Sequence, residues 1–206
     1  MRSTTWLAGL ALGVTSMTAT AATPSYDYIQ LDYVGVNHHD SAYDSKGADF
    51  QLSALIAPYL VFDASYQFLE GDRFTVGTLS GRVEQQTVTA GLEGRLPLVR
   101  NQLDGFLGAD FVYQDAKYRE DFKGVAGFDD QYSNGFQIKG GVRANFNYVE
   151  VQPIVRYIHI ADEDDVGLGV QLLGCPGYGI CLAAGYDYQK NSKDGRYFAG
   201  VRFNYD

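Results

Sequence analysis

The chain contains three histidines, the side chains best suited to acid–base or metal chemistry near neutral pH. His38 and His39 are adjacent and precede Asp40, and neighbouring side chains on a regular backbone do not point to one place. A metal site there would need ligands from another segment. His159 lies an even number of residues after Val149, so in a strand it shares the apolar face of that segment. Because a catalytic base must reach its substrate, we predict a structural role for His159 at the edge of an apolar surface.

The densest charge cluster is the acidic run at residues 162–165. It lacks the alternating ligand spacing and the glycine of a calcium-binding loop, so we predict a solvated loop. No Ser/His or Asp/His set is recognisable from the order of residues in the chain. We therefore expect no enzymatic activity, and the sequence assigns neither a cofactor nor a metal.

The N-terminal segment determines the cellular compartment. Residues 1–22 begin with Arg2, continue with an apolar stretch and end in small residues at 19–21. This order is typical of a secretory signal peptide, and the apolar stretch is well short of the roughly 20 residues that a membrane-spanning helix needs. We predict that this segment is removed and that residues 23–206 form one exported domain.

Cys175 and Cys181 are the two cysteines of the chain, and they bracket the segment PGYGI. An exported protein passes through an oxidising compartment. Because proline and two glycines allow a tight return of the chain, we predict a disulfide between them, with two reduced thiols as the alternative. The bond would close a small loop, so its contribution to stability is expected to be modest.

Apolar and polar residues alternate with a period of two in ten segments, which indicates β-strands with one apolar and one polar face. An even number of antiparallel strands is what a closed barrel in an outer membrane requires. We predict an all-β fold, a closed antiparallel transmembrane β-barrel of about ten strands. Eight strands is the alternative if the weak segment 168–172 and its neighbour do not both cross the membrane. The segments are 29–33, 50–56, 60–68, 88–96, 103–113, 136–146, 149–157, 168–172, 182–188 and 195–206.

Two further patterns favour the membrane barrel over a secreted β-sandwich. Connections between the segments alternate between short ones, such as 147–148, and longer polar ones, such as 115–133. Aromatic residues such as Tyr33, Phe68 and Tyr113 lie near the ends of the apolar faces, where they would meet the membrane interfaces. Both patterns match the layout of an outer-membrane barrel.

The last segment ends with the outward aromatic residues Phe203 and Tyr205, which Asp206 follows. A terminal strand of this kind resembles the assembly signal of Gram-negative outer-membrane proteins. The mature chain as a whole resembles the small OmpA/OmpX-like barrels, and Asp206 departs from their usual form. The resemblance implies a location in the cell outer membrane, contact with its lipid and lipopolysaccharide, and recognition by the outer-membrane assembly machinery.

The polar faces of the strands would line the barrel lumen. They carry acids and bases in near balance, and paired charges avoid most of the cost of burial. Since barrels of about eight strands are filled by side chains, we expect a largely plugged lumen, with a narrow pore as the alternative. Glycines on this face, such as Gly169, are expected to make room for an opposing arginine. The predicted lumen ion-pair network consists of Asp63, Glu93, Arg95, Asp110, Lys139, Arg143, Glu150, Arg156 and Arg202.

Function is less determined than fold, since folds of this kind carry many functions. Removing the signal peptide takes away Arg2 and changes the formal net charge from −9 to −10, which argues against a nucleic-acid partner. Loops 69–85 and 115–133 carry aromatic residues among charges, a composition suited to recognition. We expect a non-enzymatic surface protein for envelope integrity, adhesion or surface interaction, with lipopolysaccharide or a host or cell-surface ligand as its partner. A narrow channel for small solutes or ions is the alternative.

Overall fold

Ten antiparallel strands form a closed barrel. The computed structural model describes residues 24–39, 44–72, 74–76, 79–122, 125–177 and 179–205. Each barrel strand pairs with its neighbours in the chain, and pairing of the first strand with the last closes the sheet. The short β4 extends the hairpin between β3 and β5. The strands are β1 (Tyr28–Asn37), β2 (Ser45–Ala57), β3 (Leu60–Gly71), β4 (Phe74–Val76), β5 (Leu79–Val99), β6 (Leu103–Phe122), β7 (Val125–Phe146), β8 (Val149–Ile160), β9 (Glu163–Gly177), β10 (Ile180–Gln189) and β11 (Gly195–Asn204).

The ten-strand prediction is confirmed, and the weak segment 168–172 lies within the full strand β9. Among the residues that the structure describes, no helix is long and apolar enough to cross a membrane. The predicted signal peptide, residues 1–22, lies outside the described ranges.

The two ends of the barrel differ. At one end, which we call the turn end, short turns join β2 to β3, β5 to β6, β7 to β8 and β9 to β10, and the first and last strands begin and end there. Asn101 and Asn147 in these turns have φ values of 62° and 69°. Asparagine tolerates this left-handed conformation, which allows the chain to reverse within two or three residues. The opposite end, which we call the loop end, holds the other connections.

The exterior of the barrel is apolar and its interior is polar, the reverse of a soluble protein. Leu31, Leu107 and Leu182 face outwards and are 56%, 67% and 66% exposed. Gln30 and Arg202 face inwards and are at most 2% exposed. A water-soluble protein does not expose so large a continuous apolar surface, so this exterior is the lipid-facing surface of a membrane barrel.

Three strands continue well beyond the barrel wall at the loop end. β5, β6 and β7 have 21, 20 and 22 residues, whereas about 9–11 residues suffice to cross a membrane. The pairing of β7 with β8 stops at Gly135, and the pairing of β5 with β3 stops at Glu84. We call residues 79–86, 115–122 and 125–132 the protruding sheet.

The expectation of loops at 69–85 and 115–133 is therefore wrong for most of their length. In the ladder, Lys117 faces Glu84 on β5 and Asp130 on β7. A guanidinium nitrogen of Arg119 lies 3.2 Å from a carboxylate oxygen of Glu84. Opposite charges that face each other across strands stabilise the pairing, so polar sequence continues as strand here.

The lumen glycines make room mostly for acids and aromatic rings, and the expected arginine is found at Gly169, where Arg156 lies beside Asp187. A Cβ atom added at Gly169 would lie 1.8 Å from Oδ1 of Asp187, and one at Gly185 would lie 2.3 Å from the ring of Phe198. At Gly174, an added Cβ would meet nothing within 4 Å. The absence of a side chain at Gly169 on β9 therefore lets Asp187 on β10 reach across β9 to Arg156 on β8.

This difference predicts the effects of two matched substitutions on one strand. Gly169→Ala should lower the free energy of unfolding by about 1–3 kcal/mol, because the new methyl group must displace Asp187. Gly174→Ala should leave it nearly unchanged. The fraction of protein that keeps its folded gel mobility without boiling, measured across a urea series, compares the two. Equal stability of the two variants would contradict this account of the lumen.

Candidate functional site

A stack of aromatic and cationic side chains closes the lumen at the turn end. Tyr26, which precedes β1, is 2% exposed, and its hydroxyl donates to Oδ2 of Asp104 at 3.0 Å. The guanidinium groups of Arg95 and Arg143 lie 4.6 Å and 4.2 Å from the centre of its ring. Nε of Arg95 donates to the same carboxylate oxygen of Asp104 at 2.8 Å. Cations over an aromatic face and a shared carboxylate hold the N-terminal segment inside the barrel.

A second group, around Arg202, fills the lumen next to this stack. Arg202 lies 3.8 Å above the ring of Tyr28, and its Nε donates to Oε1 of Gln30 at 2.7 Å. The amide of Gln171 donates to the same oxygen at 3.1 Å. The nearest guanidinium nitrogen of Arg202 lies 3.9 Å from a carboxylate oxygen of Glu150, so this ion pair is long.

Nearer the loop end of the lumen, Lys139 on β7 contacts carboxylates on two other strands. Its ammonium lies 2.5 Å from Oδ1 of Asp63 on β3 and 3.2 Å from Oδ1 of Asp110 on β6. The amide of Gln137 donates to the other oxygen of Asp110 at 2.8 Å. One cation therefore holds two carboxylates that lie in the same row of the sheet, on either side of Gly91 on β5.

A further group of charged side chains, nearer the loop end, joins β2, β8, β10 and β11. Arg196 donates to Asp49 at 2.6 Å and to Asp187 at 3.0 Å, and Arg156 also pairs with Asp187. The two arginines share one carboxylate, which fixes the walls of the barrel relative to one another.

The structure brings most of the predicted lumen residues into contact, but Glu93 and Arg143 form no ion pair with any described residue. Among the described residues, no opposite charge lies within salt-bridge distance of Glu93. Arg143 donates instead to the carbonyl of Ser25 at 3.1 Å. Sequence reasoning missed Tyr26, because that residue lies outside the alternating segments and carries no charge.

A cavity of about 1000 Å³ occupies the rest of the lumen and reaches the loop end. We call it the vestibule. Its floor is formed by Tyr28, Phe106 and Arg143, and its mouth includes Asn191 and Asp194. The lumen is therefore filled at the turn end only, so the expected plug covers one part of it.

Three side chains at the loop end form hydrogen bonds in the order of a catalytic triad. Nδ1 of His38 lies 2.9 Å from Oδ2 of Asp194, and Nε2 of His38 lies 3.2 Å from the hydroxyl of Ser45. This set is not recognisable from the order of residues, because Asp194 lies 156 positions after His38. Ser45 is buried at 6% exposure. The arrangement serves as a clasp between the β1–β2 and β10–β11 connections.

The acidic run is part of a tight hairpin, which corrects the predicted solvated loop. Ala161 and Asp162 form a two-residue turn with φ values of 52° and 66°, and β9 begins at Glu163. The carboxylate of Asp165 accepts hydrogen bonds from the backbone N–H groups of Asn191 and Ser192 at 2.9 Å and 3.2 Å. These bonds join the β8–β9 turn to the β10–β11 connection.

The third histidine lies on the outer surface, as expected from its parity. His159 contacts the carboxylate of Asp164 at 2.7 Å, and its ring centre lies 5.3 Å from that of Phe136. The hydroxyl of Tyr157 donates to the same carboxylate oxygen at 2.6 Å. Within the described ranges, no group of three or more His, Cys, Asp and Glu side chains is arranged to bind a metal.

The two cysteines are bonded in the structure. Cys175 and Cys181 form a disulfide across the β9–β10 connection, with their Cα atoms 4.1 Å apart. Cys181 packs against Leu173 and Ala183 inside the barrel wall. The disulfide therefore links β9 to β10 at the turn end.

Comparison with known proteins supports the fold and goes no further. No protein-family model matches the chain, and no curated protein matches it significantly in sequence. The transport unit of the autotransporter AIDA-I from Escherichia coli superposes with a TM-score of 0.51 at 9% identity, covering 96% of this chain and 94% of that chain. The β-domain of the Bordetella autotransporter BrkA gives a TM-score of 0.50 at 14% identity, covering 88% and 100%. Ail, the attachment invasion locus protein of Yersinia pestis, gives 0.43 at 13%, covering 85% and 95%. This chain has the closed-barrel fold of Gram-negative outer-membrane proteins.

The stack around Tyr26 predicts that the intact protein does not conduct ions. In a planar bilayer, the refolded protein should be silent, whereas Tyr26→Ala should produce discrete conductance steps because it removes the ring between the two arginines. Tyr59→Ala, which changes a tyrosine that is 64% exposed at the turn end, is the matched control and should remain silent. Conductance by the unchanged protein, or silence of Tyr26→Ala, would contradict this account.

The hydrogen bonds to Asp165 predict that the β10–β11 connection at the loop end becomes less ordered at low pH. Partial burial raises the pKa of Asp165, but hydrogen bonds from Asn191, Ser192 and Val166 outweigh it, and the net pKa is lowered. A lowered pKa means that this stabilisation is present above the ordinary range near pH 4 and is lost as the pH falls through the folded-state pKa.

Amide hydrogen exchange measures how well the β10–β11 connection is ordered. Asp165→Ala should reduce protection of the Asn191 and Ser192 amides severalfold at neutral pH, whereas Glu163→Ala, an exposed neighbour on the same strand, should not. In the unchanged protein, the protection should decline only in acid. Protection that does not depend on Asp165 would show that other contacts hold the connection.

Proposed function

We propose that the protein is an integral outer-membrane barrel that presents the protruding sheet as a contact surface for molecules outside the cell. The observation that carries this proposal is the extension of β5, β6 and β7 past the points where β3 and β8 stop pairing. A barrel that served only to span the membrane would not need strands of 20–22 residues.

The orientation follows from the connections. In outer-membrane barrels, short turns lie on the periplasmic side and longer connections lie outside. The turn end is therefore assigned to the periplasm and the loop end to the outside. The protruding sheet then extends away from the cell.

The protruding sheet has features of a recognition surface. An ion pair between Arg119 and Glu84 joins two of its strands, and one between Arg82 and Glu70 joins the sheet to β3. A paired sheet loses less conformational entropy on binding than a flexible loop does. Tyr132 is 61% exposed on its outer face. Over residues 125–134, β7 pairs with β6 on one side, and no strand of the described ranges pairs with its other edge. A partner that contributes an extended segment can pair with such an edge.

Two further contacts belong to this proposal. Basic side chains such as Lys117 and Arg119 lie on the outer face above the apolar band, at the level where lipopolysaccharide phosphates would meet them. Phe203 and Tyr205 are 49% and 51% exposed at the end of the last strand, where the assembly machinery would recognise them.

A narrow channel is the second candidate, and the vestibule is the observation that favours it. A cavity of about 1000 Å³ gives solutes an entry from the loop end. The stack around Tyr26 opposes passage, so this candidate requires the N-terminal segment to move.

The contact role is tested by shortening the protruding sheet. Asp115 and Tyr132 face each other across β6 and β7, so residues 116–131 can be replaced by Asn-Gly, which favours a two-residue hairpin turn. Cells that display the shortened protein should lose adhesion to other cells, because the far part of the sheet is gone. Retention of heat-modifiable gel mobility checks that the barrel still folds.

The matched control is Tyr59→Ala, a substitution at the turn end. Cells that display this variant should adhere like cells that display the unchanged protein. Adhesion by the shortened protein at the level of the full chain would refute the proposed contact surface.

A further inference from the structure

The vestibule has an excess of negative charge that its own cations do not balance. Among the described residues, nine aspartates and glutamates line the cavity, against four lysines and arginines. The cavity lies inside the barrel wall and reaches the loop end, and a cleft lined mainly by one sign of charge focuses the potential of those charges. It should therefore concentrate small cations.

Two of the buried carboxylates have unused acceptors that face the cavity. Glu93 is 4% exposed, lines the cavity, and its Oε1 has no hydrogen-bond partner among the described residues. Asp49 is also 4% exposed, and its Oδ1 is unpartnered although the other oxygen binds Arg196. Asp63 lies between Glu93 and Asp49 along the barrel axis. Its Oδ2 also has no hydrogen-bond partner among the described residues. Buried acceptors without donors are costly, and a ligand that supplies N–H groups removes that cost.

The spacing of these acceptors selects the kind of cation. A divalent metal needs several oxygen ligands around one point, and the described residues form no such group. The unpartnered acceptors are instead distributed along the cavity, from Glu93 through Asp63 to Asp49 nearer the loop end. Neutral amides and hydroxyls such as Gln67 and Thr87 line the walls between the charges. A flexible chain with separated ammonium groups fits this distribution, because each ammonium donates up to three hydrogen bonds.

We propose that the vestibule binds linear aliphatic polyamines from outside the cell, with Glu93 as the innermost carboxylate of the site. The site is independent of the protruding sheet. A failure of this proposal would leave the contact role of the sheet untouched.

The test uses spermidine and the refolded full-length mature protein in zwitterionic detergent. Isothermal titration calorimetry at low ionic strength should show saturable binding. Glu93→Gln should weaken it about tenfold, the loss expected for one charge-assisted hydrogen bond. Glu84→Gln is the matched control on the same strand, because Glu84 faces the outside of the barrel, and it should bind like the unchanged protein.

Folding does not limit this test. Among the described residues, Glu93 Oε1 has no hydrogen-bond partner and Glu93 forms no ion pair, so Glu93→Gln should keep the heat-modifiable gel mobility of the barrel. Should that variant fail to fold, Asp63→Asn gives the same comparison at the next carboxylate and should also weaken binding.

Three outcomes would overturn the proposal. The first is no saturable binding of spermidine, and the second is equal affinity of the Glu93→Gln and Glu84→Gln variants. The third is displacement of spermidine by an equal concentration of Mg²⁺, which would mean that the vestibule responds to cation charge at a point and not to spaced ammonium groups.

Discussion

The pairing of charges inside a closed, lipid-facing wall is the constraint on which the rest of the structure depends. With the apolar residues of every strand turned outwards, the polar residues have only the lumen to occupy. Isolated charges in that narrow space would be costly, and bridging contacts such as Lys139 with Asp63 and Asp110 remove the cost. The same contacts join strands that lie far apart in the sequence, so they also make the barrel rigid.

This constraint divides the lumen into two functional parts. At the turn end, Tyr26 lies between Arg95 and Arg143, and the space is filled. Towards the loop end, acids outnumber bases, and a vestibule remains. The molecule therefore has one filled end and one open end, and the vestibule, the loop-end hydrogen bonds and the protruding sheet all lie at the open end.

The strands could be predicted from the sequence because the parity of apolar residues is a local property. Where the structure differs, the missing information is long-range. Residues 115–122 have the composition of a loop, and only their register with β5 and β7 shows that their charges face opposite charges. The clasp of His38 with Asp194 joins residues separated by 156 positions and exists only because β1 pairs with β11. Similarly, the parity of Glu93 predicts that it faces the lumen but does not reveal that no cation of the described residues lies within ion-pair distance of it.

The central claim is that the loop end is open to the outside while the exterior faces lipid and the turn end lies across the membrane. Labelling of intact cells with a charged thiol reagent too large to pass porins tests it, using the single substitutions Ser133→Cys in the vestibule, Leu107→Cys on the exterior and Arg100→Cys at the turn end. We predict that Ser133→Cys alone reacts in intact cells, and that Arg100→Cys reacts only after the outer membrane is permeabilised. Reaction of Leu107→Cys or Arg100→Cys in intact cells, with Ser133→Cys protected, would contradict the account.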